Sequence, residues 1–236
     1  MQKLDLNGKN ILVTGSPGFI GSNLVLRLLK ELKCGMVVSF DNMNDYYDVS
    51  LKEHRLSLIE KAAKESPVKH KFVLGDLADK QAVDKLFDEY NFDVVVNLAA
   101  QAGVRYSIDH PDVYISSNII GFFNILEACR YHNVSHLVYA SSSSVYGGNK
   151  KVPFSVEDKV DNPVSLYAAT KKSNELLAHS YSKLYSDICT RHSNKIADLE
   201  EILIKHIKEV CSNYINDTLQ GELISIAKRK RQEEVK

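Results

Sequence analysis

Asn10-Ile-Leu-Val-Thr-Gly15-Ser-Pro-Gly18-Phe-Ile-Gly21-Ser-Asn-Leu decides the fold of this chain. The run from Asn10 to Thr14 is built on Ile, Leu and Val, as expected of a parallel strand covered on both faces. Past the glycines, Ile20, Leu24, Leu28 and Leu32 recur at helical spacing. Gly15 permits a tight turn, Gly18 lets backbone N–H groups approach a phosphate, and Gly21 lets the helix pack closely on the strand. Strand, glycine turn and helix start together have the physical form of a dinucleotide pyrophosphate site, with Phe19 and Ile20 in its wall. The spacing is G-x-x-G-x-x-G rather than G-x-G-x-x-G, so the setting between strand and helix carries the reading.

Working outward, the next strand is Met36 to Phe40, ended by Asp41-Asn42. Asp41 lies 20 residues past Gly21, where a carboxylate accepts hydrogen bonds from an adenosine ribose. A carboxylate there also repels a 2′-phosphate, which favours NAD over NADP. The alternative is a plain strand-end turn at Asp41-Asn42. An amphipathic helix within Asp45 to Ala63 leads to a third strand, Lys71 to Leu74, and then Asp76 and Leu77. Asp76 could meet the adenine, or cap the helix that starts near Lys80. The fourth strand, Asp93 to Leu98, ends in the small residues Ala99 and Ala100, which leave room for something flat against the backbone. A long helix spans about Pro111 to His132, and a fifth strand, His136 to Ala140, runs into Ser141-Ser-Ser-Ser144-Val-Tyr-Gly147. Alternating strands and helices of this kind form an α/β, doubly wound parallel sheet, whose ligands bind at the carboxyl ends of the strands. The serines are either a flexible loop or a row of hydroxyls over that crevice.

A helix opening near Ser165 carries Tyr167-Ala-Ala-Thr-Lys171. Residues four apart share a helix face, so the phenol and the ammonium point the same way. A neighbouring cation stabilises phenolate and brings the hydroxyl closer to usefulness as a general acid or base. The chain has 236 residues, formal net charge zero and 44% hydrophobic residues, an ordinary globular composition that argues against nucleic acid or an anionic membrane as partner. Its four cysteines lie far apart, which fits reduced thiols and a cytoplasmic location, and no secretory signal or membrane span is read at the sequence level. No metal is expected.

In this order the motifs resemble the extended short-chain dehydrogenase/reductase family, which includes NAD-dependent nucleotide-sugar epimerases and dehydratases. The phrases Asp41-Asn-Met-Asn-Asp-Tyr-Tyr-Asp-Val-Ser, Ala100-Gln-Ala-Gly-Val-Arg-Tyr-Ser and Tyr139-Ala-Ser-Ser-Ser-Ser-Val-Tyr-Gly-Gly are closest to bacterial UDP-glucuronate 4-epimerases. The resemblance covers about residues 8–185 and implies a Rossmann-type fold with NAD as cofactor. It implies Tyr167 as catalytic base, Lys171 on the nicotinamide ribose, and Ser142 on the reacting sugar hydroxyl. Ser143 and Ser144 would lie beside the substrate, and Arg105 would meet a phosphate or the sugar carboxylate. Dehydratases carry an Asp-Glu pair where Ser143 and Ser144 stand, so the two serines point to epimerisation through a 4-keto sugar. A nucleotide-sugar substrate is implied, and a homodimer is allowed.

After Tyr185 the resemblance is lost. The expected domain organisation is a dinucleotide-binding domain at 1–185 and a helical tail at 186–236, in place of the last strands and the substrate domain. Two amphipathic helices are expected, at about Asn194 to Cys211 and Asp217 to Glu234, with a basic Lys228-Arg-Lys-Arg231. The tail would cover the edge left at the fifth strand, and its loss of substrate contacts would impair turnover. An alternative is an NAD-binding module with little or no catalysis.

Overall fold

The computed structural model describes residues 5–151 and 153–185, all within one compact unit of the chain. The expected tail helices and the basic Lys228–Arg231 run lie outside the described residues. Five parallel strands form one sheet: β1 (Asn10–Thr14), β2 (Met36–Asp41), β3 (Lys69–Leu74), β4 (Val94–Asn97) and β5 (His136–Tyr139). Their spatial order is β3-β2-β1-β4-β5. The chain therefore builds outward from β1 to β3, then returns to the other side of β1 for β4. Strand order reverses between β1 and β4, and a crevice opens at the carboxyl ends of those two strands.

The helices between the strands are α1 (Phe19–Glu31), α2 (Val49–Glu65) and α3 (Lys80–Tyr90). Two short helices, α4 (Tyr106–Asp109) and α5 (Pro111–Tyr114), precede α6 (Gly121–Tyr131), and α7 (Leu166–Leu184) follows β5. Among these, α1 packs on α2, and α3 packs on α6. Successive strand residues point to opposite faces. Leu12, Val38, Phe40 and Val95 accordingly join Val83, Leu86, Phe87, Ile125 and Cys129 in one core layer. Ile11, Val13 and Val37, equally buried, face the other side. Burying a side chain such as Phe87 stabilises the fold by roughly 1.5–3 kcal/mol relative to leaving it exposed.

Two sequence readings need correction. Strand β3 begins at Lys69, two residues before the apolar run at Lys71, because its first residues pair with Met36 and Val37 although their side chains are polar. The long helix expected from Pro111 to His132 is broken. Ile115–Ile120 forms a wider π-turn, closed by the Gly121 N–H donating to Ser116 O, five residues back. The break fits two tight constraints. Asn118 is buried and committed to hydrogen bonds outside its own helix, and a Cβ at Gly121 would stand 2.9 Å from Leu77 Cβ. The helix shifts register between the two. No described helix is long and apolar enough to cross a membrane, and no described group of three His, Cys, Asp or Glu side chains is arranged to hold a metal.

His70 on β3 reaches the hydroxyl of Ser39 on β2, at 2.9 Å from Nε2. Burial pushes its imidazole down to about 4. The folded state thus resists a proton that the unfolded chain accepts near 6.5. The unfolded chain binds more protons between those values, so stability falls as pH drops from 6.5 toward 4. We expect the urea midpoint to be lower at pH 5 than at pH 7.5, and His70→Gln to remove part of that drop. An identical drop in the variant would assign it to other groups.

Candidate dinucleotide and proton-transfer site

The glycine turn is built by close approach. Gly15 sits at φ +68°, its N–H donates to Phe40 O at 2.8 Å, and a Cβ on it would lie 2.7 Å from Ala99 N. A Cβ on Gly21 would meet Gly15 O at 2.3 Å, so Gly21 packs on the turn itself rather than on the strand. Gly18 is the N-cap of α1, with no side chain capping the helix and no acid in its first turn. The first N–H groups of a helix lack intrahelical partners, and with the dipole they favour an anion. Nothing on this helix competes for that place.

In front of the turn lies a cleft of about 330 Å³. It gathers Gly15, Gly18, Phe19, Ile20 and Gly21 from the turn, Asp41 and Asn42 from the end of β2, Asp76 and Leu77 after β3, and Leu98, Ala99 and Ala100 after β4. The ends of β1 and β4 are locked together at its floor. Thr14 Oγ1 donates to Asn97 Oδ1 at 2.7 Å and accepts the Ala99 N–H at 3.1 Å.

Asp41 is buried, and both of its bonds fall on one oxygen. Oδ1 accepts the Met43 N–H at 2.7 Å and lies 3.3 Å from Lys52 Nζ. Lys52 is itself 5% exposed and donates to Asn44 Oδ1 at 2.8 Å. The sequence reading set a lone carboxylate here. With Lys52 beside it, charge repulsion of a 2′-phosphate is weaker than a lone Asp41 would give. Asp76 accepts from Ala78 N at 2.8 Å and from Asn42 Nδ2 at 2.9 Å, which ties the ends of β2 and β3. It does not cap α3. Asp79 does, accepting from Gln81 N and Ala82 N.

At the other end of the cleft, Ala140 follows β5. Lys171, 4% exposed on α7, donates from Nζ to Ala140 O at 3.0 Å. Burial brings its ammonium down to about 8. Tyr167, one turn earlier, is half-buried, its ring edge-on to Tyr114 at 6.1 Å. Neither Tyr167 nor Lys171 lines the cleft; α7 meets it through Ala140. The start of α7 is fixed by Ser165, whose hydroxyl accepts the Ala168 N–H.

The serine run is a turn, not a flexible loop. Ser142 accepts from Ser144 N at 3.2 Å and from Ser144 Oγ at 2.8 Å, and it starts a 3₁₀ turn at Ser143–Tyr146 that packs against α7. Ser141 donates to Glu175 Oε1 on α7 at 2.6 Å. Ser143 is exposed. Arg105 is exposed at the start of α4 and does not line the cleft.

Several residues of this region were not singled out from the sequence. Asn44, Tyr46, Tyr47, Lys52, Gln101 and Ser117 also line the cleft. Asn118 is buried and holds the β4 loop from both sides, accepting from Gln101 N at 2.8 Å and donating to Gln101 O at 3.0 Å. It also donates to Thr170 Oγ1 at 3.1 Å, on α7 between Tyr167 and Lys171. The available signal was Ser116-Ser-Asn118, a polar interruption of an apolar helical pattern.

Known proteins match this chain as follows. Protein CapI of Staphylococcus aureus is 55% identical over 176 residues, covering 75% of this chain and 50% of the relative. UDP-glucuronate 4-epimerase 2 of Arabidopsis thaliana is 49% identical over 181 residues, covering 76% and 40%. The solved UDP-glucose 4-epimerase of Thermus thermophilus, in complex with NAD, is 34% identical with a TM-score of 0.61, covering 75% of this chain and 52% of that one. The chain spans about half the length of the curated relatives it matches. The sequence model of GDP-mannose 4,6 dehydratase matches residues 12–222, past the point where the motif resemblance stops. With the parallel sheet, the glycine turn and this match together, the chain belongs to the GDP-mannose 4,6 dehydratase family.

Proposed function

We propose that this chain carries the dinucleotide half of an NAD-dependent nucleotide-sugar 4-epimerase, acting on UDP-glucuronate or a close relative, with residues 1–185 as the NAD-binding domain. The observation that carries the reading is the bond from buried Lys171 to Ala140, which brings the Tyr167 helix against the end of the glycine cleft. The relatives named UDP-glucuronate 4-epimerase and the NAD complex of a similar epimerase support it.

The residues fit a dinucleotide. An uncapped helix start faces a pyrophosphate, Asp41 offers an acceptor to a ribose, and the backbones at Gly15 and Ala99 approach so closely that a Cβ at Gly15 would obstruct them. Bound there, NAD supplies a reversible hydride acceptor. Tyr167 takes the proton of the sugar C4 hydroxyl as that carbon is oxidised to a ketone, and returns it when the hydroxyl is rebuilt on the opposite face. The cycle is redox-neutral. Lys171 shares the helix face of Tyr167 and carries its charge near neutrality. Ser142 offers a hydroxyl that positions the reacting oxygen. Ser143, Ser144 and Arg105 are the remaining substrate candidates.

A second reading is a dinucleotide-binding module with little turnover, and the half-length match to the relatives favours it. Incubation of the full chain with NAD⁺ and UDP-glucuronate separates the two. We expect UDP-galacturonate, and a loss of about 10²–10⁴ in turnover for Tyr167→Phe with NAD affinity retained. No product at high enzyme concentration, with NAD still bound, would select the binding module.

Asp41 is testable by itself. Asp41→Ala should weaken NAD binding by about ten- to a hundredfold, as expected for loss of a charged hydrogen-bond acceptor. Because Lys52 stays behind without its carboxylate, the NADP-to-NAD affinity ratio should rise. Calorimetric titration of both dinucleotides checks this, and unchanged affinities would remove Asp41 from the ribose site.

A further inference from the structure

The segment between β2 and α2 does more than line the cleft. Tyr46 stands in its wall, and the same ring reaches the loop after β4 on the far side. There it lies edge-on to Tyr106, with ring centroids 5.0 Å apart. Its hydroxyl fills the space over Gly103: a Cβ on Gly103 would come within 2.4 Å of Tyr46 Oη. By the doubly wound pattern, the end of β2 takes the adenosine and the end of β4 leads toward the nicotinamide. A side chain that joins these two loops crosses the path of the pyrophosphate.

Both footings are firm. On the near side, Asp41 and Asn42 close successive turns on Met43 N and Asn44 N, and Lys52 holds Asn44 Oδ1 at 2.8 Å. Met43 takes a positive φ of 53°, which those bonds maintain. On the far side, Tyr106 stacks on His110 at 4.2 Å, and fully buried Tyr114 donates its hydroxyl to Ala102 O at 2.7 Å and to Gly103 O. The link between the footings is ring packing, which is worth about two- to tenfold in an equilibrium. That is weak enough to open for loading and strong enough to slow release.

We propose that Tyr46 is a cofactor-retaining clasp, whose ring bridges the β2 and β4 loops over a bound dinucleotide and slows its release. The proposal rests on the NAD reading of the cleft. It suits a redox-neutral reaction, in which the cofactor never needs exchanging and retention carries no penalty in turnover.

The test is the release of NADH from the full chain, followed by fluorescence in stopped flow after a chase with excess NAD⁺. Tyr46→Ala should release NADH about two- to tenfold faster. Tyr46→Phe keeps the ring and should behave as the parent. Gly103→Ala, whose methyl group displaces the Tyr46 hydroxyl, should also speed release. Tyr46 is 39% exposed on a loop, so the melting temperature of the free Tyr46→Ala protein should match the parent. A parent-like release rate in Tyr46→Ala would overturn the clasp while leaving the NAD site intact. Equally fast release from Tyr46→Phe would overturn the ring-packing account. Failure of the parent to bind NADH would overturn the NAD reading and the clasp with it.

Discussion

The hydrogen bond from Thr14 to Asn97 is the constraint on which the site depends. It is fully buried and joins β1 to β4 at the one place where strand order reverses. A doubly wound sheet must splay its helices apart there, and the side-chain bond reinforces the last rung of the backbone ladder, which pairs Thr14 with Asn97. Thr14 also accepts the Ala99 N–H, which draws the β4 loop over Gly15. That approach is so close that a side chain at Gly15 would collide with the Ala99 backbone. The glycine turn and the small residues after β4 are thus two sides of one steric requirement. Either alone would be weak evidence for a dinucleotide. Locked together, they fix the depth and the floor of the cleft.

A second tie sets the position of α7. Asn118 spends its side chain on both backbone groups of Gln101 and on Thr170, so one side chain ties together the β4 loop, the π-turn and α7. The helical register slips by one residue just where Asn118 must face inward, and Gly121 then lets α6 approach Leu77. Burying an amide is costly unless its bonds are satisfied. Here three are made, and they hold the Tyr167 helix at a defined place relative to the cleft.

Much of this was legible in the sequence because local rules act alone. Asn10–Thr14 and Asp93–Leu98 read as buried strands, and Ser165 before a periodic run reads as a helix start, as the structure has them to within a residue. The cleft residues of the turn and the strand ends follow from the same periodicity and from the fold rule that puts ligands at carboxyl strand ends. What stayed hidden depends on partners distant in sequence. Lys52 reads as an exposed helix residue until the fold sets it beside Asp41. Asp79, which stands immediately before Lys80, is the cap that the reading of Asp76 passed over. Tyr46, in a polar loop, gains its role only from Gly103 and Tyr106, which lie more than fifty residues away.

The two buried lysines show how the fold distributes charge along the cleft. Both are about 5% exposed or less, which is costly for an ammonium unless it is paired. Lys52 faces a carboxylate, so its charge is largely cancelled at the β2 end. Lys171 faces the neutral carbonyl of Ala140, and burial alone lowers its ammonium to about 8. A carbonyl dipole orients a cation without neutralising it. The uncancelled positive charge is therefore that of Lys171, held against Ala140, and not that of Lys52 beside Asp41. A carboxylate partner at one buried lysine and a carbonyl partner at the other thus leave different charge balances around two lysines of nearly equal burial.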